Sequence, residues 1–194
     1  MFRPDFPLRT DRLLLRPFAA DDVDDVWAYQ RDPEVARYLH WEPRDRERAR
    51  VAVAEMVRES DLLGEGDCLS LAVVWPPTGV LIGQVELIWL SEQHRQGEIG
   101  YIFHPAYGGR GLATEAARVM LGLGFDGLRL HRIIGRCDAR NRASAALLAR
   151  LGMRREAHLI GTTVGKDGWR DELVYAMLHD EWRNSSHPAA PAAH

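Results

Sequence analysis

Apolar positions along the chain change their spacing several times, and each change marks a new element. Short apolar runs predict buried strands, whereas apolar residues three or four positions apart predict one face of a helix. Strands are predicted at 13–15, 68–75, 80–89, 98–103, 133–137, 154–164 and 169–178. Prolines and glycines in 76–79 and glycines in 165–168 predict turns that make two of these pairs into hairpins.

Helical spacing is clearest in the second half of the chain. Asp21 and Asp22 open a first helix, because carboxylates stabilise a helix amino terminus. A charged and then Val/Ala-rich stretch predicts a second helix over 44–60, and Gly152 is suited to end the last of these helices. The inward stripes of the two later helices are Leu112, Ala116, Val119 and Leu123, and then Ser144, Leu148 and Leu151.

This order of strands and helices predicts a single mixed α/β (α+β) domain over residues 1–183. Neither an internal repeat nor a linker interrupts it. The remaining segment, 184–194, is rich in Pro, Ala and Ser without an apolar period, so we expect it to be disordered.

Composition narrows the function. The chain has 194 residues, of which 46% are hydrophobic, enough for a substantial core. Its net charge of −3 lacks the basic excess typical of nucleic-acid binding. Its cysteines, Cys68 and Cys137, form neither a metal-ligand motif nor a disulfide framework. We therefore expect free thiols, no metal, no nucleic-acid partner, no membrane segment and a cytoplasmic location.

The most informative segment is a glycine-rich loop, Gly108-Gly109-Arg110-Gly111, followed by Leu112 and Ala113. It lies between a predicted strand and an amphipathic helix, where free amides and the helix dipole favour an anion. Glycines allow close approach to the backbone, and arginine adds a donor suited to phosphate. The loop predicts a ligand with a phosphate or pyrophosphate group. The alternative is a surface turn before a structural helix.

Two other phosphate motifs fail in this loop. A P-loop needs Gly-Lys-Ser/Thr, but Leu112 and Ala113 follow Gly111. The dinucleotide motif would put its third glycine at Thr114, and it belongs in the first strand–helix unit of a fold. Nicotinamide dinucleotides are therefore disfavoured.

The chain resembles the GCN5-related N-acetyltransferases (GNAT), specifically their ribosomal-protein alanine and serine N-acetyltransferase branch. That family's pyrophosphate loop reads Gln/Arg-x-x-Gly-x-Gly/Ala, and residues 108–113 read GGRGLA, with Gly108 replacing Gln or Arg. The other segments that are similar, in the same order, are TDRLLLR at 10–16, GEIGY at 97–101, ATEA at 113–116, Asn141-x-x-Ser144 with Leu151-Gly152-Met153, and GWRD at 168–171.

The resemblance implies a mixed, mostly antiparallel, V-shaped sheet with acetyl-CoA in its opening. Backbone groups of 101–103 would then pair with pantetheine, and the Phe103 N–H would polarise the thioester carbonyl. Asn141 would bind pantetheine, cap its helix, or do both. Pyrophosphate would be held by the amides of Gly109, Gly111, Leu112 and Ala113, helped by Gly108 and Arg110.

Two further residues are implied as catalytic. An amine must lose a proton before it attacks a thioester, and Glu98 is the candidate acceptor of that proton. Its alternative role is to pair with an arginine or to hold the substrate ammonium. Many relatives protonate the leaving thiolate with a tyrosine where this chain has Leu148, so Ser144 is the candidate substitute. Its alternative is an ordinary polar helix position.

The function that follows is direct acetyl transfer from acetyl-CoA to a primary amine in a ternary complex. The acceptor is either a protein N-terminal α-amine or a small-molecule amine, and a homodimer is expected by analogy. The alternative is a non-catalytic acyl-CoA-binding module, which the Leu148 position leaves open.

Overall fold

One sheet organises residues 2–185, the part of the chain that the computed structural model describes. Its strands lie in the order β1-β2-β3-β4-β5-β6-β8-β7. They are β1 (Leu8–Arg9), β2 (Leu14–Pro17), β3 (Cys68–Trp75), β4 (Val80–Ser91), β5 (Gln96–Phe103), β6 (Arg132–Asp138), β7 (Arg154–Gly165) and β8 (Gly168–Leu178).

Six α-helices flank this sheet within the described residues. They are α1 (Val23–Gln30), α2 (Pro33–Ala36), α3 (Arg46–Met56), α4 (Leu112–Gly122), α5 (Arg142–Arg150) and α6 (His179–Asn184). Single 3-10 turns precede α1 and α4, and a π-helical turn, Leu123–Gly127, extends α4. The mixed α/β fold predicted from the sequence is confirmed.

The sheet is antiparallel except where β5 lies beside β6. These two strands are parallel and pair through only three register positions, the last joining Glu98 to Ile134. β5 continues to Phe103, beyond that last pair, while remaining paired with β4 on its other side. The strands therefore diverge after Glu98, and this divergence is the V-shaped opening that the family resemblance implies.

Alternate side chains of the central strands pack into two separate hydrophobic cores. Leu71, Val85 and Leu87 belong to the larger core, which includes buried residues of α4 and α5. Ala72 belongs to the smaller one, with Val26 and Tyr29 of α1 and residues of α3. Because neighbouring residues of a strand point to opposite faces, the two helix layers cover opposite sides of the sheet.

Element limits differ from the sequence expectation mainly at helix ends. The helix predicted over 44–60 begins with an Asp45 side-chain cap and ends at Met56. Gly152 ends α5 with a φ of +91°, as its position suggested. The predicted tail begins at Asn184, which is the last residue of α6, and its residues 186–194 lie outside the described part of the chain.

Candidate active site

The glycine loop joins the open end of β5 to the start of α4. After the 3-10 turn Pro105–Tyr107, the Gly108 amide donates to the Pro105 carbonyl at 2.9 Å. Gly109 and Gly111 then adopt φ of +73° and +76°, a left-handed conformation that favours glycine. Gly111 is the N-cap of α4, so the loop delivers the chain directly into the positive end of that helix.

This loop has the room and the donors that a phosphate group needs. A Cβ added to Gly109 would meet nothing within 4 Å, so the space above it is open. The first amides of α4 have no acceptor inside the helix. The hydroxyl of Thr114 in that first turn is buried without a hydrogen-bond partner among the described residues. Together these features fit the pyrophosphate of acetyl-CoA.

Arg110 supplies the positive charge at this loop. Its guanidinium lies 5.4 Å from the Trp75 ring centroid and 5.9 Å from that of Tyr107. These two rings pack edge to face against each other. Within residues 2–185 no carboxylate pairs with Arg110, so its charge is held beside the loop by aromatic contacts and stays available to a phosphate.

A second arginine, which the sequence analysis did not select, fastens the same loop from the far end of the chain. Arg12 donates to the Arg110 carbonyl at 2.8 Å and pairs with Glu115 through Nε at 2.7 Å. Thr10 also donates to Glu115, at 2.5 Å. Burial acts to raise the pKa of Glu115, but these hydrogen bonds and the charge of Arg12 hold it below its ordinary value. Glu115 therefore lies in the first turn of α4 as a carboxylate whose negative charge is balanced by Arg12.

The opening between β5 and β6 exposes backbone groups of β5. The His104 amide donates to the Ile82 carbonyl at 2.8 Å, and Phe103 lies opposite Gly83 in the register. In an antiparallel ladder this pattern directs the N–H of Phe103, and likewise that of Tyr101, away from β4. Because the pairing with β6 has ended at Glu98, both amides face the opening.

Ser144 meets a tyrosine hydroxyl across the opening. The Tyr101 hydroxyl lies 2.8 Å from Ser144 Oγ and 3.2 Å from the Ser144 carbonyl oxygen. The Asn141 side chain accepts from the Ser144 amide at 3.0 Å, so Asn141 caps α5, one of the two roles expected for it. Burial is the main cause that raises the pKa of Tyr101, which therefore keeps its proton.

Two neighbouring side chains complete this end of the opening. Leu148, at the position where the resemblance implies a tyrosine in many relatives, is buried in the core, where a Cβ on Gly135 would lie 2.5 Å from it. Cys137 is partly buried and also lines the pocket described below. The sequence could not place Tyr101 or Cys137 here, because strand periodicity does not show which face meets α5.

Glu98 lies in the wall of a pocket on the α1/α3 side of the sheet. Its carboxylate is 12% exposed and accepts two hydrogen bonds from Arg136, at 3.0 and 2.8 Å. The arginine pairing was one of the two alternatives left open for this residue. Hydrogen bonding to Glu98 is the first cause that raises the pKa of Arg136, with a contribution from the charge of Glu172.

The pocket has a volume of about 340 Å³ and is formed by distant segments of the chain. The turn after α2 and the β7–β8 hairpin face each other across it. Lys166 at the hairpin tip donates to the Ala36 carbonyl at 3.0 Å and pairs with Glu42 at 3.3 Å. Carboxylates outnumber arginines in its lining, which contains Glu98, Asp138, Asp171 and Glu172 beside Arg136 and Arg170.

Comparison with known proteins agrees with this geometry. The family model described as an acetyltransferase (GNAT) domain matches residues 12–154. The chain belongs to the GNAT acetyltransferase family. It is 32% identical over 176 residues to the uncharacterized N-acetyltransferase YnaD of Bacillus subtilis, covering 90% of this chain and 98% of that protein.

The chain is also similar to an enzyme with a named substrate and to a solved structure. The spermidine N(1)-acetyltransferase of Escherichia coli is 30% identical over 148 residues, covering 75% of each chain. The crystal structure of a GNAT-family acetyltransferase from Bacillus anthracis superposes with a TM-score of 0.79 at 30% identity, covering 91% of this chain and all of that one. The expected enzyme class, an N-acetyltransferase, is confirmed.

Acetyltransferases of this family use acetyl-CoA, so the anion expected at the glycine loop is the pyrophosphate of that substrate. Within residues 2–185 no group of three or more His, Cys, Asp or Glu side chains is arranged around a metal position. In the same part of the chain, no helix has the length and apolar character needed to cross a membrane.

Proposed function

We propose that this enzyme transfers the acetyl group of acetyl-CoA directly to a primary amine within a ternary complex. The observation that carries the proposal is the β5–β6 opening, where the Phe103 N–H is free and the strand leads straight into the glycine loop. A donor aimed at a developing oxyanion contributes about 3 kcal/mol to such a transfer. Phe103 is therefore the residue whose amide polarises the thioester carbonyl.

Both backbone amides and side chains would contact acetyl-CoA on the cofactor side of the site. Gly109, Gly111, Leu112 and Ala113 would donate their amides to the pyrophosphate, and Arg110 would add a charged contact. Gly108 would contribute by its lack of a side chain, since its amide already donates to Pro105. The backbone of β5 and Asn141 would line the pantetheine arm.

Leaving-group chemistry belongs to the hydroxyl pair of Ser144 and Tyr101. A hydroxyl that keeps its proton can donate to the departing thiolate, and the high pKa of Tyr101 favours that state. Ser144 connects this hydroxyl to the start of α5. Glu98, held by Arg136 in the pocket wall, would orient the acceptor ammonium.

Direct transfer is supported by the state of the two cysteines. A covalent acetyl-enzyme would need a thiolate. Burial raises the pKa of the Cys137 thiol, and it raises that of Cys68 to about 12. Both residues are therefore protonated thiols at neutral pH and poor acyl acceptors, so attack by the amine itself is favoured.

The acceptor is a cationic amine in this proposal, because the pocket lining carries more carboxylates than arginines. Of the lining carboxylates, the Glu172 side chain makes no hydrogen bond or ion pair within residues 2–185 and acts on Arg136 only through its charge, which leaves its oxygens available to a cation. Sequence motifs favour the ribosomal-protein branch and hence an N-terminal α-amine, whereas the relative named for spermidine favours a polyamine. Cytoplasmic location and homodimerisation stay predictions.

The test is an amine panel followed by initial-rate kinetics. Spermidine, free amino acids, an aminoglycoside and peptides beginning with Ala or Ser are incubated with acetyl-CoA, and acetylated products are identified by mass spectrometry. We expect acetylation of at least one class, with double-reciprocal plots that intersect. Parallel plots would contradict direct transfer. A protein that binds acetyl-CoA but acetylates no amine would favour the non-catalytic module.

A further inference from the structure

We propose that Glu86, a residue of β4 that the sequence analysis did not select, accepts the proton of the acceptor ammonium, in place of its neighbour Glu98. This inference rests on the proposed function and adds a catalytic residue to it. Glu86 lies opposite Gly100 in the β4–β5 register, and Glu98 lies opposite Ile88. Both glutamates therefore project from the same face of the sheet.

Gly100 leaves room for the Glu86 carboxylate beside the open part of β5. A Cβ added at Gly100 would lie 3.0 Å from Glu86 Oε2 and would press on the carboxylate. Because Gly100 has no side chain, no atom of its own separates its backbone from Glu86 Oε2. Gly100 lies two residues after Glu98, the last residue of β5 that pairs with β6. Oε2 is consequently next to the point where the strands diverge, and the proposal requires that the acceptor amine, or one water molecule, reach it there.

A buried polar network fixes which oxygen of Glu86 is free. The Gln84 side-chain oxygen accepts from the Tyr29 hydroxyl at 2.8 Å and from the Gln30 amide at 3.1 Å. Its orientation is thereby set, and its Nε2 donates to Glu86 Oε1 at 2.7 Å. Within residues 2–185 Oε2 receives no hydrogen bond, so it keeps its capacity to accept a proton.

Glu98 differs in this respect. Arg136 donates to both of its oxygens, so each oxygen of Glu98 already has a hydrogen-bond donor, whereas Glu86 keeps one oxygen without a donor. Glu98, paired with Arg136, is therefore a positioning group in the pocket wall. The carboxylate one strand further in is suited to accept a proton.

The electrostatic surroundings of Glu86 act in the same direction. Burial is the main cause that raises its pKa, the hydrogen bond from Gln84 opposes this shift, and the charges of Glu59 and Glu98 add to it. A carboxylate whose pKa is raised toward the working pH is a more effective general base. The titratable and charged groups that face it from the surrounding elements are Tyr29, Arg44, Glu59, Cys68 and Glu98.

The proton balance is simple. The ammonium gives one proton to Glu86, and the neutral amine attacks the thioester carbonyl, forming the C–N bond. The C–S bond breaks as the tetrahedral intermediate collapses, and the second nitrogen proton passes to the departing sulfur through the Tyr101–Ser144 hydroxyls. CoA leaves as a thiol, and Glu86 releases its proton to solvent, so that one proton is produced per turnover.

The test compares isosteric variants of both glutamates on the amine that the panel identifies. Glu86→Gln, Glu98→Gln and the control Glu47→Gln, an exposed carboxylate of α3 that pairs with Arg50, are assayed for kcat/KM between pH 6 and 10. We expect Glu86→Gln to lose about 100-fold at neutral pH. The loss should shrink toward pH 10, where the amine loses its proton to water. Glu47→Gln should stay within about twofold of the wild type.

Two further measurements separate catalysis from folding. Acetyl-CoA affinity of Glu86→Gln should equal that of the wild type by calorimetry. In the wild type, carbon-detected NMR should show the Glu86 carboxyl titrating well above the ordinary glutamate value of about 4.3.

Each contrary result has a distinct meaning. Three results would overturn this inference and leave the proposed function standing. They are a loss of kcat/KM below about threefold in Glu86→Gln, a pH-dependent loss of kcat/KM in Glu98→Gln instead of in Glu86→Gln, and an ordinary glutamate pKa for Glu86 by NMR. A wild type that acetylates none of the amines would overturn the proposed function and this inference with it.

Discussion

The proposed cofactor side and the proposed acceptor side of this enzyme are built in different ways. Residues 99–114 form almost the whole of the proposed cofactor side as one continuous segment, whose candidate donors are mainly backbone amides. The acceptor side is assembled from the turn after α2, the strands β5 and β6, and the β7–β8 hairpin, and its character comes from paired charges. One side is a conformation of the backbone, and the other is an arrangement of distant side chains.

This difference explains what each side can tolerate. Substitutions on the cofactor side act through backbone geometry and through the few side chains that support it. Substitutions on the acceptor side change charge and closure while leaving the acetyl-CoA contacts intact. We therefore expect substitutions on the cofactor side to change the KM for acetyl-CoA. Substitutions on the acceptor side should change the KM for the amine.

The largest effect on the cofactor side is expected for Arg12→Met. The change removes the hydrogen bond to the Arg110 carbonyl and leaves Glu115 less compensated beside the pyrophosphate. The Arg12 side chain is 48% exposed, so its ion pair contributes less than about 1 kcal/mol. With the lost hydrogen bond to the loop carbonyl added, we expect a loss of about 1.4 kcal/mol, a tenfold rise in the Kd for acetyl-CoA. Calorimetry measures it.

A second substitution separates charge from structure in this prediction. Glu115→Gln in the Arg12→Met background should recover part of the affinity, because the uncompensated carboxylate is removed. If the double variant binds acetyl-CoA more weakly than Arg12→Met, the charge argument is wrong and Arg12 acts only by fastening the loop.

A smaller, about fivefold, rise in the Kd for acetyl-CoA is expected for Gly109→Ala. The chain offers a matched control in Gly79 of the β3–β4 turn, which has a φ of +70° against +73° for Gly109. Neither site has an atom within 4 Å of an added Cβ. Both variants should melt about 2–4 °C lower, since each strains the backbone by about 1 kcal/mol. If Gly109→Ala and Gly79→Ala change the Kd for acetyl-CoA equally, the glycine loop has no specific role in binding and is only a turn.

The acceptor side should respond to Lys166→Met with an effect of about threefold. This change removes the contacts with Ala36 and Glu42 that hold the hairpin tip against the turn after α2. We expect the KM for the amine to rise while the Kd for acetyl-CoA stays constant. A change in the Kd for acetyl-CoA instead would break the separation of the two sides.

The smallest effect is a change in stability with pH. Because the pKa of Glu86 is raised in the folded protein, folding loses stability as pH rises from about 4.3, the unfolded value, through the folded pKa. Glu86→Gln lacks this loss. It should therefore have a higher Tm than the wild type at pH 8, with a difference that shrinks toward pH 4. A lower Tm at pH 8 would contradict the direction of the shift.

The sequence was sufficient for the loop because its signals are local. Glycines at 108, 109 and 111, followed by an amphipathic helix, predict a tight loop that leads into a helix, and the structure has this conformation. The same is true of Asn141 as a helix cap. The phosphate chemistry predicted from the glycine loop stays a prediction. The mixed α/β class followed from the order of strands and helices, and the V-shaped sheet followed from the resemblance. The sheet topology and the register of β5 and β6 confirm them.

Side-chain partners could not be predicted, because they depend on contacts between distant residues. Arg136 lies 38 positions from Glu98, and Ser144 lies 43 positions from Tyr101. Glu86 looks like an ordinary polar residue of a strand. Its environment depends on Tyr29 and Gln30, more than fifty positions away, and on the absence of a side chain at Gly100.

Hydrogen exchange with and without acetyl-CoA tests the central claim most directly, because the claim concerns backbone amides. We predict that saturating acetyl-CoA slows exchange at Tyr101, Phe103 and the amides of 109–114. Exchange in the hairpin segment 163–172 should change little until an amine is added. Unchanged exchange at Phe103 and in the glycine loop, with acetyl-CoA bound, would contradict the account.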